Sequence, residues 1–137
     1  MRYLIDTNIF LFLKTDADLI GRDIRPILNS YEDLLYISSV SVQELIHLYQ
    51  TERLPKIDWK KAGDILASIK EAGISIAPVK EEHLKTFANL ENVKGHNDPN
   101  DRVIISQAMT EKMPLISSDR KFEYYRKQGL NFIYNRR

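Results

Sequence analysis

The chain has 137 residues, the length of one domain, and 43% of them are hydrophobic, enough for a core of its own. It has no cysteine, which excludes disulfides and thiolate metal sites, and its five glycines form neither G-x-G-x-x-G nor G-x-x-x-x-G-K-[ST], the phosphate loops of dinucleotide folds and P-loop enzymes. The net charge is +1, but Lys112 to Arg137 carries seven Lys/Arg against Asp119 and Glu123, an excess that suits a polyanion or a merely solvated face.

In chain order, Tyr3-Leu4-Ile5 is an apolar run too short for a helix and reads as a buried strand ending at Asp6. Asp16 to Tyr31, with Pro26 inside it, reads as helix in pieces. Leu34 to Ile37 is a second strand. Val42, Leu45, Ile46 and Tyr49 then recur at helical spacing and predict a helix from Val42 to about Thr51, with Ser41 and Glu44 as its capping box. Asp58 caps a further predicted helix bearing Trp59, Ala62, Ile65, Leu66 and Ile69, which Gly73 ends. Ile74 to Ala77 is strand three. Glu81 to Glu91 is a helix with Leu84, Phe87 and Ala88 inward.

A loop from Gly95 to Pro99 leads to an apolar helix with Val103, Ile104, Ile105, Ala108 and Met109. Leu115 to Ser117 is strand four, Phe122 to Lys127 a last helix stopped by Gly129, and Asn131 to Tyr134 an edge strand. Alternating strands and helices imply an α/β fold with a mainly parallel sheet covered on both faces. No leader pattern opens the chain, and no apolar run nears the roughly 18–20 residues that span a bilayer. The expectation is one cytoplasmic domain over 1–137.

Most acids fall on helix surfaces, but five fall elsewhere. Asp6 follows strand one, Glu44 lies early in the helix after strand two, Asp98 and Asp101 open the apolar helix, and Asp119 follows strand four. In a parallel sheet those points share one carboxyl edge, where α/β proteins bind ligands. Each acid alone reads equally well as a helix cap. Together they form a cluster whose repulsion costs several kcal/mol in a low-dielectric pocket unless a cation offsets it. All-oxygen ligation suits Mg²⁺ or Mn²⁺, which activate water and steady the leaving oxygen of a phosphodiester, while the basic C-terminal segment grips the backbone. Thr7, Asn8 and Ser117 sit beside the acids and are candidates to orient ligands or water. His96 reads as a solvated or hydrogen-bonding loop residue sooner than as a catalyst, and Phe122, Tyr124 and Tyr125 as packing sooner than as stacking on bases.

Four segments taken together carry a family resemblance: Leu4-Ile5-Asp6-Thr7-Asn8, Ser39 to Leu45, His96 to Ala108, and Leu115-Ile116-Ser117-Ser118-Asp119. They resemble the PIN-domain ribonucleases, specifically the VapC-type toxins of toxin–antitoxin pairs. That resemblance implies a three-layer α/β/α fold with strand order 3-2-1-4-5 and a Mg²⁺-dependent endoribonuclease. It implies an acidic quartet of Asp6, Glu44, Asp101 and Asp119 that binds metal and is catalytic, with Asp98 assisting or capping. It also implies a homodimer and a small VapB-type antitoxin that blocks the acidic groove. The family carries an aromatic or bulky apolar residue where Asn100 stands, a departure that bears on packing or substrate. Two rival readings stay open: a PIN-fold RNA- or protein-binding domain without chemistry, and an aspartyl-phosphate phosphotransfer domain. The second lacks an acid at Asn8 and the later lysine.

Overall fold

The computed structural model describes all 137 residues. Five strands form one parallel sheet: β1 (Arg2–Ile5), β2 (Leu34–Ser38), β3 (Ile74–Ala77), β4 (Leu115–Ser117) and β5 (Phe132–Tyr134), in the order β3-β2-β1-β4-β5. Register pairs Ile5 with Ile37 on one side and with Ile116 on the other, so β1 is central. Six α-helices connect them: α1 (Thr7–Thr15), α2 (Arg25–Leu28), α3 (Ser39–Gln50), α4 (Gly63–Glu71), α5 (Glu81–Asn89) and α6 (Pro99–Glu111). Two 3₁₀ segments add Ala17–Leu19 and Arg120–Gln128.

Side-chain alternation along β1 divides the interior into two layers. Tyr3 and Ile5 pack with Ile9, Phe10, Leu45, Ile65 and Ile69 from α1, α3 and α4. Leu4 packs with Ile104, Ile105, Ala108, Phe122 and Tyr125 from α6 and the second 3₁₀ segment. The result is the three-layer α/β/α sandwich, in the strand order that the resemblance implies. No helix is long and apolar enough to cross a membrane.

Several expected details are corrected. α3 begins at Ser39, and its cap is Ser38, whose Oγ accepts the Val40 N–H at 3.1 Å. Ser41 therefore lies inside the helix and forms no capping box, and Glu44 sits one turn further along. α4 begins at Gly63, not after Asp58. Trp59 instead stacks on Phe10 as an extended anchor, and Asp64 turns back to accept the Lys60 and Lys61 N–H groups at 2.9 and 3.3 Å. Leu66 is consequently 45% exposed. On α5 the inward residues are His83, Phe87 and, just past its end, Leu90, while Leu84 is 49% exposed and Ala88 faces out. His83 is the buried member: its Nδ1 accepts the Lys80 N–H at 2.9 Å, and its Nε2 lies 3.4 Å from Glu111 on α6. The last predicted helix is a nine-residue 3₁₀ segment ended by Gly129 at φ +110°, a backbone angle that glycine adopts without strain.

Candidate active site

The carboxyl ends of β1, β2 and β4 lie side by side, and each is followed at once by a helical segment. Asp6 caps α1: Oδ1 accepts the Thr7 N–H at 2.8 Å. Its other oxygen, Oδ2, accepts from Ser117 Oγ at 2.8 Å, and Ser117 Oγ in turn accepts the Asp119 N–H at 3.0 Å. One buried serine thus ties the acid after β1 to the acid after β4, 113 positions apart in the numbering. Asp119 also caps the 3₁₀ segment through the Lys121 N–H. Asp98 caps α6 through the Asn100 N–H, with Pro99 and Asp101 in the first turn. Asp6, Asp98 and Asp119 all cap helical segments, while Glu44 lies within α3 and caps nothing.

Electrostatics records how close they come. Asp6 is 6% exposed. Burial raises its pKa to about 6, against the lowering effect of the Ser117 and Thr7 hydrogen bonds, and Glu44 and Asp119 raise it further. Asp101 is pushed up to about 8, first by burial and then by Asp6, Asp98, Asp119 and Glu44. Asp6, Glu44, Asp101 and Asp119 are thus coupled through their charge, and without a cation Asp101 keeps most of its proton at neutral pH. Glu44 is half-buried, makes no side-chain hydrogen bond, and borders a cavity of about 350 Å³ that Asn100, His47 and Arg53 also line. Asn8 alone of the expected set stays out, exposed on the first turn of α1 without a bond to the cluster.

Of the two readings of His96, solvated or hydrogen-bonding, the second holds: it is 4% exposed and both ring nitrogens are bonded. Nδ1 lies 2.7 Å from the Tyr125 hydroxyl and Nε2 lies 3.2 Å from Asp101 Oδ2. Arg102 donates to the Tyr125 oxygen at 3.2 Å, which directs the tyrosine proton to Nδ1 and leaves the imidazole proton on Nε2, facing Asp101. Burial lowers the His96 pKa, so it acts as a neutral donor and not an ion-pair partner. A ligand atom from each of His96, Asp101 and Asp119 lies within 4.8 Å of the other two. The only cue in the sequence was its place five residues before Asp101; the tyrosine that receives it lies 29 positions away.

The donor chemistry fits a hard divalent cation. The groups are carboxylate oxygens, with the Asp6 and Asp101 pKa values raised chiefly by burial and further by neighbouring acids, and Thr7 Oγ1 is buried beside Asp6 with no partner.

The PIN-domain family model matches residues 3–128. The chain belongs to the PIN-domain family. No curated protein sequence matches this PIN chain at a significant level. Among solved structures it is similar to VapBC2 from Rickettsia felis bound to a promoter DNA fragment, with 18% identity, TM-score 0.69 and 98% of each chain covered. It is similar as well to DNA-bound VapBC from Salmonella typhimurium, with 20% identity, TM-score 0.69 and 98% of each chain covered. VapBC-1 from nontypeable Haemophilus influenzae gives 16% identity, TM-score 0.67 and the same coverage. At these identities the PIN fold is what they share.

Proposed function

We propose that the 137 residues form one PIN domain that acts as a metal-dependent endoribonuclease, a VapC-type toxin working in the cytoplasm as a homodimer under the control of a small VapB-type antitoxin. The observation that carries the reading is the mutual charge coupling of Asp6, Glu44, Asp101 and Asp119 in one hollow at the sheet's carboxyl edge. Membership of the PIN family and likeness to VapBC complexes support it.

Asp6, Glu44, Asp101 and Asp119 would hold Mg²⁺ or Mn²⁺. When bound, such an ion supplies Lewis-acid polarisation of the phosphodiester, a water of lowered pKa and charge neutralisation at the leaving oxygen. The chain's own work is orientation. Ser117 ties the Asp6 carboxylate to the Asp119 backbone N–H, and the Thr7 N–H holds the second Asp6 oxygen. His96 holds one Asp101 oxygen and leaves the other free. Asp98 steadies the start of α6 and adds negative charge. The Thr7 hydroxyl has no competing partner within the fold and is available to a ligand.

The test is cleavage of a mixed RNA substrate with Mg²⁺, its loss in EDTA, and its loss in Asp6→Asn. Cleavage retained by that folded variant would sink the assignment.

A further inference from the structure

One strand beyond Asp119 along the carboxyl edge, the chain leaves β5 and runs under the turn that follows the first 3₁₀ segment. Asn135 is wholly buried there. Its Oδ1 accepts the Gly21 N–H at 2.7 Å, and its Nδ2 donates to Leu19 O and Ser118 Oγ, both at 2.8 Å. Gly21 is required by contact, since a Cβ there would lie 2.1 Å from Arg136 O. This clamp ties residues 19–21 and 135–136 to Ser118, the neighbour of Asp119. Above it opens a cleft of about 480 Å³ with Arg22, Arg25, Arg136 and Arg137 on its walls, facing Asp18 and Asp23.

None of the four guanidiniums pairs with a carboxylate. The one arginine–acid bridge, Arg126 with Glu123, is elsewhere, and neither Asp18 nor Asp23 lies within bridging distance of an arginine. Arg25 donates to Ile20 O at 3.1 Å and to Ala17 O at 3.5 Å, and Arg137 lies over the Phe12 ring. Arg22 and Arg136 make no side-chain hydrogen bond, so four guanidiniums share the cleft with two acids and two of the four have every donor free. Guanidinium forks match phosphate oxygens in pairs.

We propose that this cleft binds the phosphodiester backbone of the RNA strand whose neighbouring phosphate lies in the acidic hollow. The inference rests on the ribonuclease reading for the identity of the polyanion. Its physical ground is independent: a hollow of carboxylates repels a polyanion, and arginines anchored through Asn135 and Ser118 beside Asp119 offset that repulsion. Two of the four, Arg22 and Arg25, lie far from the basic C-terminal run and were invisible as part of it.

The experiment measures binding of a short single-stranded RNA of mixed sequence in EDTA, as a function of salt. Arg22→Gln with Arg136→Gln weakens binding about tenfold and reduces the log–log salt slope by about 1.4, two released counterions at roughly 0.7 each. Lys60→Gln with Lys61→Gln, a pair of equal charge outside the cleft, changes both much less. Unchanged melting temperatures show that the folds are intact, which the lack of bonds at Arg22 and Arg136 predicts. Arg22→Lys with Arg136→Lys keeps the slope. The proposal is overturned if the cleft variant behaves like the lysine control. It is also overturned if polyglutamate binds the cleft and RNA does not, which would assign the surface to an acidic protein segment. A lost slope in a chain that never cleaves RNA sustains the cleft and sinks the nuclease; cleavage with an unaltered slope does the reverse.

Discussion

Two clusters in this molecule look alike by composition. His96, Asp101 and Asp119 bring ligand atoms within 4.8 Å of one another, and so do His83, Glu82 and Glu111. Their surroundings differ. His83 Nδ1 is spent on the Lys80 N–H, which puts its proton on Nε2 toward Glu111 at 3.4 Å, and Glu82 is exposed to water. That cluster is a helix cap with a solvated rim. In the other, water is largely excluded, further acids crowd in from β1 and α3, and Asp101 is pushed up to about 8. The lesson is that ligand types at ligand spacing do not define a metal centre; desolvated like charge with nothing to offset it does.

The sharpest way to break the comparison is Asp6→Asn. It abolishes Mg²⁺-dependent RNA cleavage, yet it raises the metal-free melting temperature by about 2–6 °C, because a buried carboxylate is replaced by an isosteric neutral group. The paired histidine variants come next. His96→Ala lowers divalent-ion affinity and cleavage about 10–100-fold, the usual loss when a group that orients a ligand is removed. His83→Ala leaves both unchanged and destabilises the fold by about 1–3 kcal/mol through the orphaned Lys80 N–H, read by denaturant unfolding.

The pH dependence separates the clusters again. Asp6 and Asp101, with folded pKa values of about 6 and about 8 against an ordinary 3.8, bind protons more tightly folded than unfolded. Their contribution to metal-free stability is therefore fully present below about pH 4, falls most steeply as pH rises from about 4 to 6, where both groups titrate only in the unfolded chain, and falls further up to about 8 as Asp101 loses its proton. Melting curves from about pH 4 to 8, flattened in Asp6→Asn with Asp101→Asn, check this. Ser117→Ala is the smallest change, about 1 kcal/mol lost in stability with Asp6 and Asp119 less well aligned, read by melting and by a modest fall in cleavage.

The architecture was legible because strands and helices announce themselves by period. Leu4-Ile5, Leu35 to Ile37 and Leu115-Ile116 are all strand residues, and the acids after them lie where a parallel sheet puts its carboxyl ends. Local patterns failed where a distant partner decided the outcome. Ser41 has the right spacing to Glu44 for a capping box, but Ser38 at the end of β2 reaches the helix first. Leu84 has helical spacing to Phe87, but His83 takes the buried place beside α6 and Leu84 is left outside. Nothing near His96 in sequence could tell its solvated reading from its hydrogen-bonding one; Tyr125, Phe122 and Arg102 bury it from 6 to 29 positions away. The Gly21–Asn135 clamp spans 114 positions and leaves no local pattern at all.

The most direct test is calorimetric titration of the metal-free protein with Mn²⁺ at pH 7 in buffers of different ionisation enthalpy. Asp101 holds its proton at that pH and Asp6 has mostly released its own, so binding expels about one proton, and the observed heat changes with the buffer accordingly. Asp6→Asn binds far more weakly. Absence of Mn²⁺ binding, or binding of equal strength in Asp6→Asn with no proton released, would contradict the account of this hollow as a divalent-cation site.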